Sequence, residues 1–395
     1  MRLVFLGSPA FAVPSVEAVR AAGHEVSLVV TQPDRPAGRG QKSTPVPVAA
    51  YAREHGFPVW QTSSLRGPEA EERLRSVGAD AMALAAFAAL VPNNILSLTP
   101  GGILNVHPSL LPKWRGAAPI QSALLAGETE TGVSIIRLVQ AMDAGPILLQ
   151  ERIPISPSDD YISLERRLAA LGAGLLVRAL AEQPPPQPQD DSLATYSKRI
   201  NREDALIDWS QSAERIWNQV RAYRGWPQAF TTFGGQQLKV LRALPISDDD
   251  LPQGEESESA ATPPRGEDSS SSQASSPPKS MATPPAGGDS ASSLASSPAE
   301  SLATPPGGKG SSSSLASSPA ESMAMLRAGG DSASSLASSP PGMVVRRGGV
   351  PVVATGRDLL RLDEVQLEGK RAQSGSEFLR GYPRLVGARL GDVVA

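Results

Sequence analysis

Gly102-Ile-Leu-Asn-Val-His-Pro-Ser-Leu-Leu-Pro-Lys-Trp-Arg-Gly116 is the stretch from which the fold of this 395-residue chain is read. Side chains on a strand alternate between faces, so Asn105 and His107 project one way and Leu104 and Val106 the other. Pro108 ends the strand and leaves the polar pair at its carboxyl end. An amide beside an imidazole can polarise a carbonyl and hold the oxyanion that forms when a nucleophile attacks it. The imidazole can also move protons near neutral pH. The competing reading is a core histidine hydrogen-bonded by its neighbour. The Pro-Ser-Leu-Leu-Pro turn that follows offers backbone groups to a flat ligand and favours the functional reading.

Outward from this stretch, residues 1–180 alternate strand and helix signals. Strands are predicted at Arg2–Leu6, His24–Thr31, Ala79–Ala85, Ile103–His107 and Gly132–Leu138. Helices are predicted at Pro14–Ala22, Thr44–His55, Ile120–Leu125 and Leu164–Ala181. Apolar strands alternating with helices indicate a mostly parallel sheet covered on both faces, with ligands at the carboxyl ends of its strands.

Two further polar islands are placed on that edge. Met142-Asp143-Ala144-Gly145 follows the Gly132–Leu138 strand. A lone Asp-Ala-Gly is usually a turn, but a carboxylate at the His107 edge would orient the imidazole and stabilise its charged form. Thr31–Lys42 follows the second strand and carries Arg35, Arg39 and Lys42 on a Gly/Pro loop. Most such runs are solvated loops; the functional alternative is a basic finger for phosphates, whose affinity would fall with salt.

Pro184–Pro188 is stiff and extended, a natural linker. Beyond a helix at Ser212–Tyr223, Ala229–Phe233 and Gln236–Ala243 flank Gly234-Gly235, and Met343–Arg347 and Val350–Ala354 flank Gly348-Gly349; both pairs are hairpin signals. With Leu359–Leu367 they make five short strands, the pattern of a small oligonucleotide-binding (OB-like) barrel. Residues 248–341 interrupt it. They repeat with a period of 21, rich in Ser, Pro and Gly with about one leucine per copy, which is too little apolar surface to form a core. Disorder is expected there.

The formal net charge of -3 hides an asymmetry. The insert carries 12 acidic and 4 basic residues, so the remainder is net positive by 5. The absence of cysteine excludes disulfide scaffolds, thiolate metal sites and cysteine nucleophiles. Three histidines make a histidine-rich metal centre a poor fit, and no metal is expected. No apolar run approaches a membrane span, and the N-terminus is not a signal peptide. A soluble, cytoplasmic monomer is expected.

The islands, in this order and spacing, resemble the methionyl-tRNA formyltransferase family. The resemblance rests on Thr31–Lys42, Asn105–Ile120, Gly132–Leu148 and Tyr196–Pro227, and covers everything except the insert. It implies transfer of a formyl group from 10-formyltetrahydrofolate to the amino group of methionyl-initiator tRNA. It implies that Asn105 and His107 polarise the formyl oxygen, that Asp143 positions His107 and relays protons, and that Ser109, Leu110, Leu111 and Pro112 form a folate-binding turn. It places Arg35, Arg39 and Lys42 against the tRNA acceptor end, with Lys198, Arg199, Arg221 and Arg242 as further tRNA candidates. One departure is Ala86-Phe87-Ala88, where the family usually has Ala-Tyr-Gly.

The expected architecture is therefore α/β. A doubly wound, mostly parallel formyltransferase-like sheet spans 1–183, followed by a linker at 184–206. An OB-like tRNA-binding domain spans 207–247 and 342–395 and carries the long disordered insertion at 248–341. Two other functions fit some of these features. One is formylation of a small molecule, or hydrolysis of formylfolate, by the same trio; the basic loop and the barrel disfavour it. The other is a non-catalytic RNA-binding scaffold, which has no need of three polar residues at one sheet edge.

Overall fold

Seven strands make the first sheet, in the spatial order Ile147–Pro154, Glu130–Arg137, Ile103–His107, Ala81–Ala85, Arg2–Gly7, Glu25–Thr31 and Val59–Gln61. The five from Ile103–His107 to Val59–Gln61 run parallel; the other two are antiparallel to their neighbours. The computed structural model describes residues 1–37, 42–247 and 339–392. Every residue of Ala81–Ala85 and Ile103–His107 is buried, as expected of strands covered on both faces. One face packs Leu104 and Val106 against helices Val13–Ala21 and Tyr161–Glu182. The other packs Ile103 with Val4, Leu6, Met82 and Leu84.

The long helix begins three residues before the expected Leu164 because its start is capped. The Asp160 carboxylate accepts from the Ser163 amide while the Ser163 hydroxyl accepts from the Asp160 amide. The second helix begins at Pro47, later than expected, because Lys42–Thr44 pairs with Arg35–Ala37 as a two-stranded ribbon. Proline at the first helical position suits the helix start, where an amide would have no partner.

All five strands expected in the second domain are present, at Phe230–Phe233, Gln236–Ile246, Val344–Arg347, Val350–Ala354 and Leu359–Leu367. Their order places Leu359–Leu367 between Gln236–Ile246 and Val350–Ala354, all antiparallel, and this sheet curls into a half-barrel. Register shifts near Arg242 bend the 11-residue Gln236–Ile246 strand. Its concave side holds Leu238, Val240, Leu360, Leu362 and Phe378, the last from helix Gly375–Gly381. The repeat segment, expected to be disordered, lies outside the described residues up to 338. Its flanks meet, since Ile246 and Met343 pack in one small cluster with Val352 and Leu359.

The segment after the long helix is bound to the first domain along its length. Gln187 pairs with Ile147, and Tyr196–Ser197 runs parallel to Arg115–Gly116. Among the described residues no helix is long and apolar enough to cross a membrane.

Candidate active site

The Ile103–His107 strand delivers Asn105 and His107 to one face, as the alternation requires. Both are buried, at 6% and 4% relative exposure. The Asn105 amide has no hydrogen-bond partner among the described residues, which leaves it available to a substrate oxygen. The His107 ring is fixed by its Nε2, 3.1 Å from the carbonyl of Trp114. A carbonyl only accepts, so Nε2 carries the proton and, in the neutral ring, Nδ1 is a bare lone pair. That lone pair lies 3.7 Å from Asp143 Oδ2. A proton gained at Nδ1 would face that carboxylate.

Burial pushes the His107 pKa below its ordinary 6.5, against the opposing pull of the Asp143 charge and the Trp114 carbonyl. The imidazole therefore rests neutral at physiological pH, ready to accept a proton.

Asp143 reaches this point by a route different from the one the sequence suggested. The strand before it, Glu130–Arg137, is antiparallel to Ile103–His107: Arg137 pairs with Leu104 and Ser134 with His107. Its carboxyl end is thus at the opposite edge from His107, not the same one. The loop of residues 138–146 folds back and returns the carboxylate to the imidazole. Asp143 sits at φ 48°, a left-handed backbone that costs a non-glycine residue energy and persists only when surroundings over-determine it. Here they do. The Gly116 amide donates to Asp143 Oδ2 at 2.8 Å, and Gln189 Nε2 donates to the carbonyls of Asp143 (2.8 Å) and Gly145 (2.6 Å). Gly145 is required by space, since a Cβ there would strike the Arg137 carbonyl. Trp114 (φ 62°) and Ala86 (φ 48°) share the left-handed conformation, so backbone strain gathers around the site.

The Ser109–Pro112 turn is built differently from expectation. Several of its backbone groups are taken up within the protein, because buried ones must be satisfied internally. Ser134 Oγ donates to the Ser109 carbonyl (2.7 Å) and accepts from the Leu111 amide (3.1 Å), and Gln150 Nε2 donates to the Leu111 carbonyl (2.9 Å). The Ser109 hydroxyl is likewise spent, donating to the Lys113 carbonyl at 2.6 Å. Ser109 and Leu111 are buried, whereas Leu110 and Pro112 line a cavity of about 320 Å³ together with Trp114, Gln150, Leu193 and the charged Lys113, Glu128, Glu130 and Arg152; Asn105, His107 and Asp143 do not line it.

Of the basic finger, Arg35 and Lys42 lie on the two facing strands of the ribbon, while Arg39 is outside the described residues. Lys198, Arg199 and Arg242 are exposed. Arg221 is not. It is 9% exposed, donates twice to Asn218 Oδ1 (2.9 and 2.7 Å) and lies 4.1 Å above the Trp217 ring. Its place on the inner side of helix Ala213–Ala222 makes it a packing residue rather than a surface cation.

Sequence reasoning missed the residues that hold these groups in place: Ser134, Gln189 and Arg115. Arg115 is 3% exposed and donates to Gln189 Oε1 (3.1 and 2.8 Å) and to Asp191 (2.7 Å). No local pattern marks such long-range partners. It also missed a set of exposed apolar side chains on the loops flanking Asp143: Leu90, Val139 and Met142. Asn93 ties these loops together through Gln140 at 3.1 Å.

Comparison with known proteins places the chain in a family. Residues 1–180 match the formyl transferase family model, and residues 199–262 and 319–383 match the formyl transferase C-terminal domain model. The methionyl-tRNA formyltransferase of Solibacter usitatus is 48% identical over 251 residues, which are 62% of this chain and 81% of that one. The methionyl-tRNA formyltransferase of Dechloromonas aromatica is 45% identical over 248 residues, covering 62% and 81% of the two chains. This chain belongs to the methionyl-tRNA formyltransferase family. It is a transferase of one-carbon groups. A solved structure of HypX from Aquifex aeolicus in complex with tetrahydrofolic acid shares the fold at a TM-score of 0.52. It is 14% identical and aligns over 98% of this chain and 48% of its own.

Proposed function

We propose that Asn105, His107 and Asp143 carry out the formyl transfer of this enzyme, from 10-formyltetrahydrofolate to the amino group of methionyl-initiator tRNA. The observation that carries the assignment is the meeting of an unpartnered buried amide, a neutral imidazole and a carboxylate 3.7 Å from its bare nitrogen.

In this reading the α-amine attacks the formyl carbon and a carbon–nitrogen bond forms. The Asn105 amide donates to the oxygen as it becomes negative, in a site from which burial excludes water. The Nδ1 lone pair takes the proton the amine loses, and the Asp143 charge stabilises the resulting imidazolium. Collapse of the oxyanion breaks the bond to the folate nitrogen, which receives that proton as it leaves.

Leu110 and Pro112 offer the donor an apolar rim, and Ser109 and Leu111 hold the turn in shape. The exposed Leu90, Val139 and Met142 offer further apolar surface beside Asp143 for a flat ring. Phe87 and Ala88, in place of the tyrosine and glycine usual in the family, alter the segment after the Ala81–Ala85 strand. Arg35, Arg39 and Lys42 would meet the phosphates of the acceptor end, and Lys198, Arg199 and Arg242 would meet the tRNA more broadly. A protein of translation initiation without a membrane-spanning helix would work in the cytoplasm.

The test is formylation of charged initiator tRNA by the purified protein with 10-formyltetrahydrofolate. Transfer is expected only when both are present. Folate-dependent formylation of an amino sugar without activity on tRNA, or release of free formate, would support a small-molecule enzyme instead. Absence of all three would support a scaffold. Arg35→Ala with Lys42→Ala is expected to raise KM for tRNA and flatten its dependence on salt, leaving KM for folate unchanged.

A further inference from the structure

The segment joining the two domains holds both partners of the catalytic imidazole. One partner is the Trp114 carbonyl, which accepts from His107 Nε2. The Trp114 amide donates to Thr195 Oγ1 at 2.9 Å, and the neighbouring Arg115 amide donates to the Thr195 carbonyl at 2.9 Å. The other partner is Asp143, whose own carbonyl and that of Gly145 accept from Gln189 Nε2. The Gln189 amide is oriented by Arg115, whose buried guanidinium donates to its oxygen from two nitrogens. Because the guanidinium can only donate, it fixes which end of the amide faces it. The amide nitrogen is thereby aimed at the Asp143 loop.

We infer that Gln189, oriented by Arg115, is a positioning residue for the reaction: it sets Asp143 against His107 Nδ1 and so ties the seating of the interdomain segment to the chemical step. The inference rests on the assignment of chemistry to Asn105, His107 and Asp143.

Three features support a role in positioning rather than in stability alone. The bonds fall on the strained turn that carries Asp143, not on a regular element. The two donors of one amide are spent on two carbonyls of that turn. Ser197, on the same segment, also holds the strand of Arg115 and Gly116: its hydroxyl donates to the Arg115 carbonyl (3.2 Å) and accepts from the Ala118 amide (3.1 Å). Gly116 in turn donates to the Asp143 carboxylate. Displacing the interdomain segment would therefore move Asp143 by two routes. The C-terminal domain, continuous with that segment, is placed to transmit correct seating of its substrate to the catalytic pair.

Gln189→Glu isolates the interaction. A glutamate keeps the size and can still accept from Arg115, but presents oxygen instead of N–H to two carbonyls. In the formylation assay kcat is expected to fall on the order of tenfold to a hundredfold, with KM for folate and tRNA within about threefold, since small displacements of a catalytic group cost rate more than binding. In Gln189→Ala, which adds no charge, the acid limb of the pH–rate profile should move to lower pH, because the Asp143 charge that raises the His107 pKa would move away. Among the described residues Asp143 is the charged group whose field acts on that ring. Gln189→Ala, which removes the acceptor as well, should show the same split of kcat from KM.

Wild-type kcat and pH profile in both variants would overturn the inference, as would a change confined to KM or to thermal stability. Asp143→Asn in the same assay separates the failures. If it is inactive while Gln189→Glu behaves as wild type, only the positioning role falls. If it retains full activity, the catalytic assignment falls with it.

Discussion

Asn105 and His107 are placed by a strand; Asp143 is placed by a loop. The strand needs little help. Five consecutive buried residues, paired on both sides, fix which face each side chain takes, and that face follows from the period of two. The loop has no such period. Its carboxylate is held by one amide from Gly116, and its backbone by two bonds from Gln189 and a glycine that alone fits under the Arg137 carbonyl. A catalytic group on a regular element inherits its position from the fold, whereas one on a loop must be given it by residues far away in sequence.

The contrast gives several expectations, from the largest effect to the smallest. Asn105→Ala or His107→Ala should lower kcat by about 100-fold or more, the usual loss for an oxyanion donor or an acid–base group. Steady-state formylation kinetics would show this, and full activity in both variants would move the chemistry away from the strand. Gly145→Ala should damage the loop selectively. A methyl there meets backbone rather than a movable side chain, so about 1–3 kcal/mol of stability should be lost, read as a lower thermal transition, with activity falling as Asp143 shifts. An unchanged transition would show that the loop is looser than its contacts indicate.

The pH profile sharpens the comparison from the chemical side. Since burial lowers the His107 pKa, the neutral ring that the proposed reaction would use persists below pH 6.5. Activity should be lost only as the solution becomes more acidic than that. An acid limb above the ordinary histidine value would contradict a buried neutral imidazole. Smallest of all should be the effect of excising residues 250–340. Ile246 and Met343 already pack in one cluster, and a shorter connection alters closure entropy by little. Formylation within about twofold of the full chain is expected, and a collapse of the thermal transition would contradict it.

Much of this arrangement could be read in the sequence, and the parts that could not share a cause. The sheet, both hairpins and the Asn105–His107 pair follow from alternation, glycine pairs and the proline after His107. These are local signals. Asp143 meets His107 by a route other than the one expected, because the sequence does not say that Glu130–Arg137 runs antiparallel. Strand direction is set by pairing between distant residues. The Ser109–Pro112 turn was expected to offer its backbone to a ligand; Ser134 and Gln150, on two neighbouring strands, take up the Ser109 carbonyl and both backbone groups of Leu111. Arg221 looked like a surface cation until helix Ala213–Ala222 turned it inward onto Trp217. In each case the missing information was a partner far along the chain.

A double-mutant cycle on His107 and Asp143 tests the central claim most directly. His107→Ala, Asp143→Ala and the double variant would be compared in single-turnover formylation of methionyl-tRNA. If the two side chains act as one unit on one acyl carbon, the double variant should be no slower than the slower single variant, because the second substitution removes nothing that still works. Losses that simply multiply would mean that the two residues act independently, and would contradict the account.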